Sequence, residues 1–99
     1  MKIKRDFIMN QTGEEYILIP VGENALHFNR IIVFTEVEAF LWKGLQDGKD
    51  RKELIRSVLN EYEVTRSVVE KDVDYFLQRL LDVDIIDSLQ ESEDDSKEA

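Results

Sequence analysis

Ninety-nine residues suffice for one domain, and 42% hydrophobic with 35% charged residues is the make-up of a chain that folds around a single core. The absence of cysteine excludes a disulfide framework, a thiolate metal site and a thiol nucleophile, and a formal net charge of −9 opposes binding to nucleic-acid phosphates or anionic lipid. The charged start Met1-Lys-Ile-Lys-Arg-Asp6 is not a secretory signal and no run of about 18 apolar residues occurs, so a cytoplasmic protein without a membrane span is expected.

From Ile3 to Gln11 the side chains Ile3, Phe7 and Met9 recur with a period of two, which predicts a half-buried strand. Thr12-Gly13-Glu14 supplies a tight turn and Tyr16-Ile-Leu-Ile19 a second β-prone run, so a hairpin is expected. Pro20 lacks a donor and should end or edge that strand, and Val21-Gly-Glu-Asn24 reads as a turn. Ala25 to Phe28 and Ile31 to Phe34 are further β-prone pieces, either one bent strand or two.

At Thr35 the period lengthens to that of a helix. Thr35 with Glu38 forms a capping box, Val37, Phe40, Leu41 and Leu45 share a face, and Gly48 after Asp47 is the expected stop. Asp50 with Glu53 repeats the cap ahead of Leu54, Ile55, Val58, Leu59 and Tyr62. Ser67 with Glu70, or Thr65 earlier, opens a third helix whose face is Val69, Val73, Phe76, Leu77 and Leu80. Val83-Asp-Ile-Ile86 reads as a short strand or a docked helix end. Residues 88–99 hold five acids and one lysine and are expected to be a disordered tail on a domain spanning 1–87.

Catalytic groupings are missing. His27 is the only histidine, in a strand-like segment and without ligand-spaced partners, so no metal site is expected. The pairs Asp72 with Asp74 and Asp82 with Asp84 stand two residues apart and would not share a helix face. No glycine pattern of a phosphate-binding loop occurs, and neither enzyme activity nor a cofactor is expected. The second and third helices could form a helix-turn-helix. Yet residues 65–84 hold Arg66, Lys71 and Arg79 against Glu70, Asp72, Asp74, Asp82 and Asp84, a local balance of −2 where a DNA-reading helix should be basic. What remains is strand edges: a sheet of two or three strands cannot close, and an extended peptide can pair with the edge left over.

The ordered set Glu15-Tyr-Ile-Leu-Ile-Pro20, Phe28-Asn-Arg-Ile-Ile-Val-Phe34-Thr-Glu36, Ala39-Phe-Leu-Trp42, the Leu54-Ile55 helix ending Glu61-Tyr-Glu-Val64, and Val69 to Leu80 with Asp72-Val-Asp74 and Phe76-Leu77 resembles the PqqD family. These are recognition elements of pathways that modify ribosomally made peptides, named for pyrroloquinoline quinone biosynthesis. The resemblance implies an α+β, winged helix-turn-helix-like fold, with an N-terminal three-stranded antiparallel sheet followed by three helices. It implies a non-catalytic binder that holds the leader of a precursor peptide and presents it to a modifying enzyme, often a radical S-adenosylmethionine (SAM) protein. It also implies that the leader adds beside the third strand in a groove lined by the third helix, which here points to Ile31, Ile32, Val33 and Phe34 with Asp72, Tyr75, Phe76 and Arg79. Two departures stand out. Val21 to Arg30 replace a short turn, so the third strand starts at Ala25 or at Ile31, and the first helix opens Phe34-Thr-Glu-Val where Leu-Asn-Glu-Thr would be usual. The competing readings are a winged-helix DNA-binding regulator and a structural subunit whose edge is permanently covered, as monomer or homodimer.

Overall fold

The register of the sheet begins at Gly13, which at φ +64° is the only positive-φ residue of its two-residue turn with Glu14. That is a type II′ turn, whose twist matches the strands it joins. It pairs β1 (Phe7–Thr12) with β2 (Glu15–Pro20) from Thr12↔Glu15 to Phe7↔Pro20, and β3 (Ile32–Phe34) lies antiparallel on the other side of β2 with Tyr16↔Phe34 and Leu18↔Ile32. The order β1-β2-β3 leaves β3 at an edge. The computed structural model describes residues 1–4, 6–28 and 30–89, without the side chains of Asn24 and His27; of the expected tail, residues 90–99 lie outside the described residues.

Two of the expected strands change. The first starts at Phe7, because Ile3 turns away to form an isolated bridge with Ile86. Ala25 to Phe28 is no strand: Asn24–His27 is a single helical turn, α1, closed by local bonds from the Ala25 and Leu26 amides to the Gly22 and Glu23 carbonyls. His27 therefore sits on a helical turn. The reason is Pro20, which brings no N–H to the side of β2 that faces β3, so the ladder stops at Leu18↔Ile32 and the link closes its own hydrogen bonds. Phe28 anchors this link by packing edge-to-face on Phe7 at 5.2 Å.

Three longer helices follow: α2 (Glu36–Gln46), α3 (Arg51–Glu61) and α4 (Arg66–Asp82). The capping boxes Thr35/Glu38 and Asp50/Glu53 are both formed. The third cap is Thr65, in extended conformation but without a side-chain bond, and Ser67 already lies inside the helix. Helix α2 ends as expected at Gly48, whose φ of +89° allows its amide and that of Lys49 to reach back to the Leu45 and Gly44 carbonyls. Helix α4 ends in the same motif with Asp84 at φ +65°, which turns the chain so that Ile85 and Ile86 are buried. The Lys4 amide donates to the Ile85 carbonyl at 2.7 Å and the Asp87 amide to the Lys2 carbonyl at 3.0 Å, tying the N-terminal segment to the end of α4. The Asp87 carboxyl, accepting from the Lys2 amide, is held below the usual aspartate range.

The core joins these layers. All five expected α4 residues, Val69, Val73, Phe76, Leu77 and Leu80, are buried. On α2 the burial centres on Ala39, Leu41, Trp42 and Leu45, with Val37 and Phe40 only half-buried. An unbroken line of rings, Phe28–Phe7–Trp42–Phe34–Phe76, has centroid spacings of 5.2 to 5.9 Å and crosses from the sheet through α2 to α4. Among the described residues no helix is long and apolar enough to cross a membrane.

Because only glycine takes the left-handed conformation at low cost, Gly48→Ala should destabilise the protein by about 1–2 kcal/mol. Urea denaturation followed by circular dichroism measures this.

Candidate functional site

The turn type decides which backbone groups the β3 edge offers. In a two-residue turn the flanking residues form a hydrogen-bonded pair, and bonded and non-bonded pairs then alternate. Thr12↔Glu15, Asn10↔Ile17 and Ile8↔Ile19 are therefore bonded, and the Val21 amide donating to the Asp6 carbonyl at 3.2 Å continues the series. Tyr16 and Leu18 consequently turn their backbone groups toward β3, where they meet Phe34 and Ile32. Val33, opposite Ile17, is left with its N–H and C=O facing outward. The free edge thus has one residue at its centre, Val33.

Beside that edge runs a single face of α4. Asp72, Tyr75 and Arg79 recur at helical spacing, and the first two are exposed. Tyr75 and Asp72 face Thr35, Val37, Glu38 and Leu41 across a depression of about 250 Å³ at the C-terminal end of β3. A larger hollow of about 700 Å³ continues toward the hairpin tip and includes Glu14, Glu15, Glu36 and Val33. The Arg79 guanidinium closes the other side: Nη1 donates to Glu38 Oε2 at 2.8 Å, Nη2 donates to the Val33 carbonyl at 3.2 Å, and its carbon lies 5.8 Å from the centre of the Phe34 ring. Glu36 accepts from the Tyr62 hydroxyl, whose pKa is raised by burial and by that bond. The groove is apolar at its base and acidic along its rim.

The eight residues expected to face a peptide divide by position. Ile31 and Val33 are exposed, with Ile31 just ahead of β3, Asp72 and Tyr75 line the depression, and Arg79 stands beside it, bonded to Glu38 and the Val33 carbonyl. Ile32, Phe34 and Phe76 are 7%, 1% and 1% exposed and belong to the core, so their side chains offer a peptide no surface. They support the edge from beneath. Sequence reasoning did not find Glu38 as the partner of Arg79, nor the half-buried Val37 as part of the depression. It also missed the outer sheet face, where Ile8, Ile19 and Val33 are exposed and Ile17 lies between them in register. The signal for that face was present: Ile17 and Ile19 are apolar on the opposite phase to Leu18.

The carboxylate pairs do not work together. Asp72 lines the depression, while Asp74 accepts from Arg51 Nε at 2.6 Å and from Nη2 at 3.1 Å, tying α3 to α4. Asp82 accepts from Gln78 and Asp84 pairs with Lys4. Among the described residues no group of three or more His, Cys, Asp or Glu side chains could hold a metal ion. On α4, Arg66 lies near Glu70 and Arg79 is held by Glu38, so two of the three cations a DNA-reading helix would use already face carboxylates.

A family model described as coenzyme PQQ synthesis protein D (PqqD) matches residues 8–86. The chain is similar in structure to TbiB1, solved in complex with the TbiA(beta) leader peptide, with a TM-score of 0.74 and 24% identity over 92% of this chain and all of that one. No curated protein sequence matches.

The register carries a direct check. The Val33 amide should exchange with solvent at least about a hundredfold faster than those of Ile32 and Phe34, measured by hydrogen–deuterium exchange with residue resolution.

Proposed function

The chain belongs to the PqqD family, and from that membership we propose that it is a non-catalytic cytoplasmic protein that binds the leader of a ribosomally made precursor peptide and presents it to a modifying enzyme. The observation that carries the reading is the outward-facing backbone of Val33 beside the α4 groove. One residue of an added strand can exchange two hydrogen bonds with Val33, and its neighbours then project alternately, toward the depression and along the outer sheet face. The neighbour TbiB1 was solved holding a leader peptide, which is the same kind of ligand. Strand addition takes its affinity mainly from the backbone, and the depression lined by Thr35, Val37, Glu38, Leu41, Asp72 and Tyr75 offers the alternate side chains a place to settle. A radical SAM protein is the partner enzyme we favour.

Isothermal titration with the leader of the precursor peptide encoded beside this gene tests the proposal. Binding at tens of micromolar or tighter is expected, and its absence would reject the reading. Val33→Pro removes the outward N–H without breaking a ladder bond, so the variant should stay folded and bind the leader about tenfold more weakly.

Glu14, Glu15, Glu36 and Asp72 on the rim call for a basic segment on the leader. Its affinity should fall as salt rises from low to physiological ionic strength and beyond; a flat salt dependence would remove this electrostatic component.

A further inference from the structure

The acceptor that an added strand needs already carries a donor. Val33 C=O faces the open edge, and the Arg79 Nη2 that donates to it approaches from α4, on the side where a peptide N–H would have to arrive. The guanidinium is not loosely placed. Its second nitrogen is fixed by Glu38, and its carbon lies over the Phe34 ring, 5.8 Å from the centre. Glu38 is itself anchored, since its Oε1 accepts from the Thr35 amide in the capping box while Oε2 takes Arg79. Helix α2, helix α4 and the edge strand therefore meet in one clasp.

We propose that the Arg79–Glu38 clasp is a gate on the β3 edge: it holds the edge closed in the free protein, and a peptide adds only after the guanidinium has left the Val33 carbonyl. This rests on the peptide-binding reading above and adds to it an order of events and a competing group. The exchange is conservative, with one N–H donor replacing another on the same oxygen, so the gate lowers affinity modestly. An edge strand with a free N–H and C=O is also a template for pairing with other chains, and a charged side chain laid on it blocks such pairing. The gate thus discriminates against segments that bring too little groove contact to displace it.

Arg79→Lys is the informative change. A lysine ammonium can keep the ion pair with Glu38 but, as a compact point charge, cannot span Glu38 and Val33 as the guanidinium fork does. Glu38→Gln loosens the clasp from the other side while its amide oxygen can still accept from Thr35. The probe is a fluorescent 15-residue peptide enriched on the wild-type protein from a random display library and shown to protect the Val33 amide from exchange. Both variants should bind it about threefold to tenfold more tightly, with the gain in the association rate. Weaker binding by Arg79→Lys would make Arg79 a peptide-holding residue and overturn the gate, as would unchanged rates. The backbone carbonyl carbon shift of Val33, read without peptide, should move in Arg79→Lys; an unmoved shift overturns the clasp even if peptides bind. Should no enriched peptide protect Val33, strand addition fails together with the gate, whereas protection with unaltered rates removes the gate alone.

Discussion

The parity of one two-residue turn governs this molecule. Because Gly13 and Glu14 form a type II′ turn, Thr12 and Glu15 must be a bonded pair, and the direction of every backbone group across β1, β2 and β3 follows. Pro20 falls where its missing donor would have served β3, so the ladder ends and the chain makes a helical turn at Asn24–His27. Val33 falls on the outward phase. A turn one residue longer would reverse these assignments, exchanging core for surface along the whole of β2.

The edge is held from beneath by aromatic packing. Phe34 touches both Trp42 of α2 and Phe76 of α4, and Phe7 extends the contact to β1 and the link through Phe28. A three-residue strand has few ladder bonds of its own, and its two buried side chains, Ile32 and Phe34, do most to fix its position. The helices are placed with matching economy: Glu38 serves the start of α2 and the guanidinium of α4 at once, and Arg51 binds α3 to Asp74. The winged-helix-like arrangement therefore presents a strand edge and a helix face at fixed separation, which suits it to an extended ligand.

Much of this was legible in the sequence because it is local. Capping boxes at Thr35 and Asp50, the stop at Gly48 and the five-residue stripe of α4 each depend on residues within a few positions of one another. The β3 boundary was not legible, since Ala25 to Phe28 has strand-like composition and becomes helical only because Pro20 denies it a partner. Phe76 entered the peptide-facing set through the resemblance, whereas helical spacing already placed it on the apolar stripe with Val69, Val73, Leu77 and Leu80, and there it is buried while Tyr75 is exposed. The Arg79–Glu38 contact joins residues 41 positions apart, and no pattern in either helix announces it. The resemblance to PqqD proteins pointed to the strand and the helix; which of their side chains face outward had to come from the register and the packing.

Trp42 is the only tryptophan of the chain, and it is buried with its ring 5.9 Å from that of Phe34. Phe34 lies on the strand whose far side is the edge, and its ring also carries the Arg79 guanidinium. The indole is thus a built-in optical sensor one residue layer behind the edge. A shift of β3 or withdrawal of the nearby cation alters the field and packing at that ring, and intrinsic emission can follow these events in the unlabelled protein.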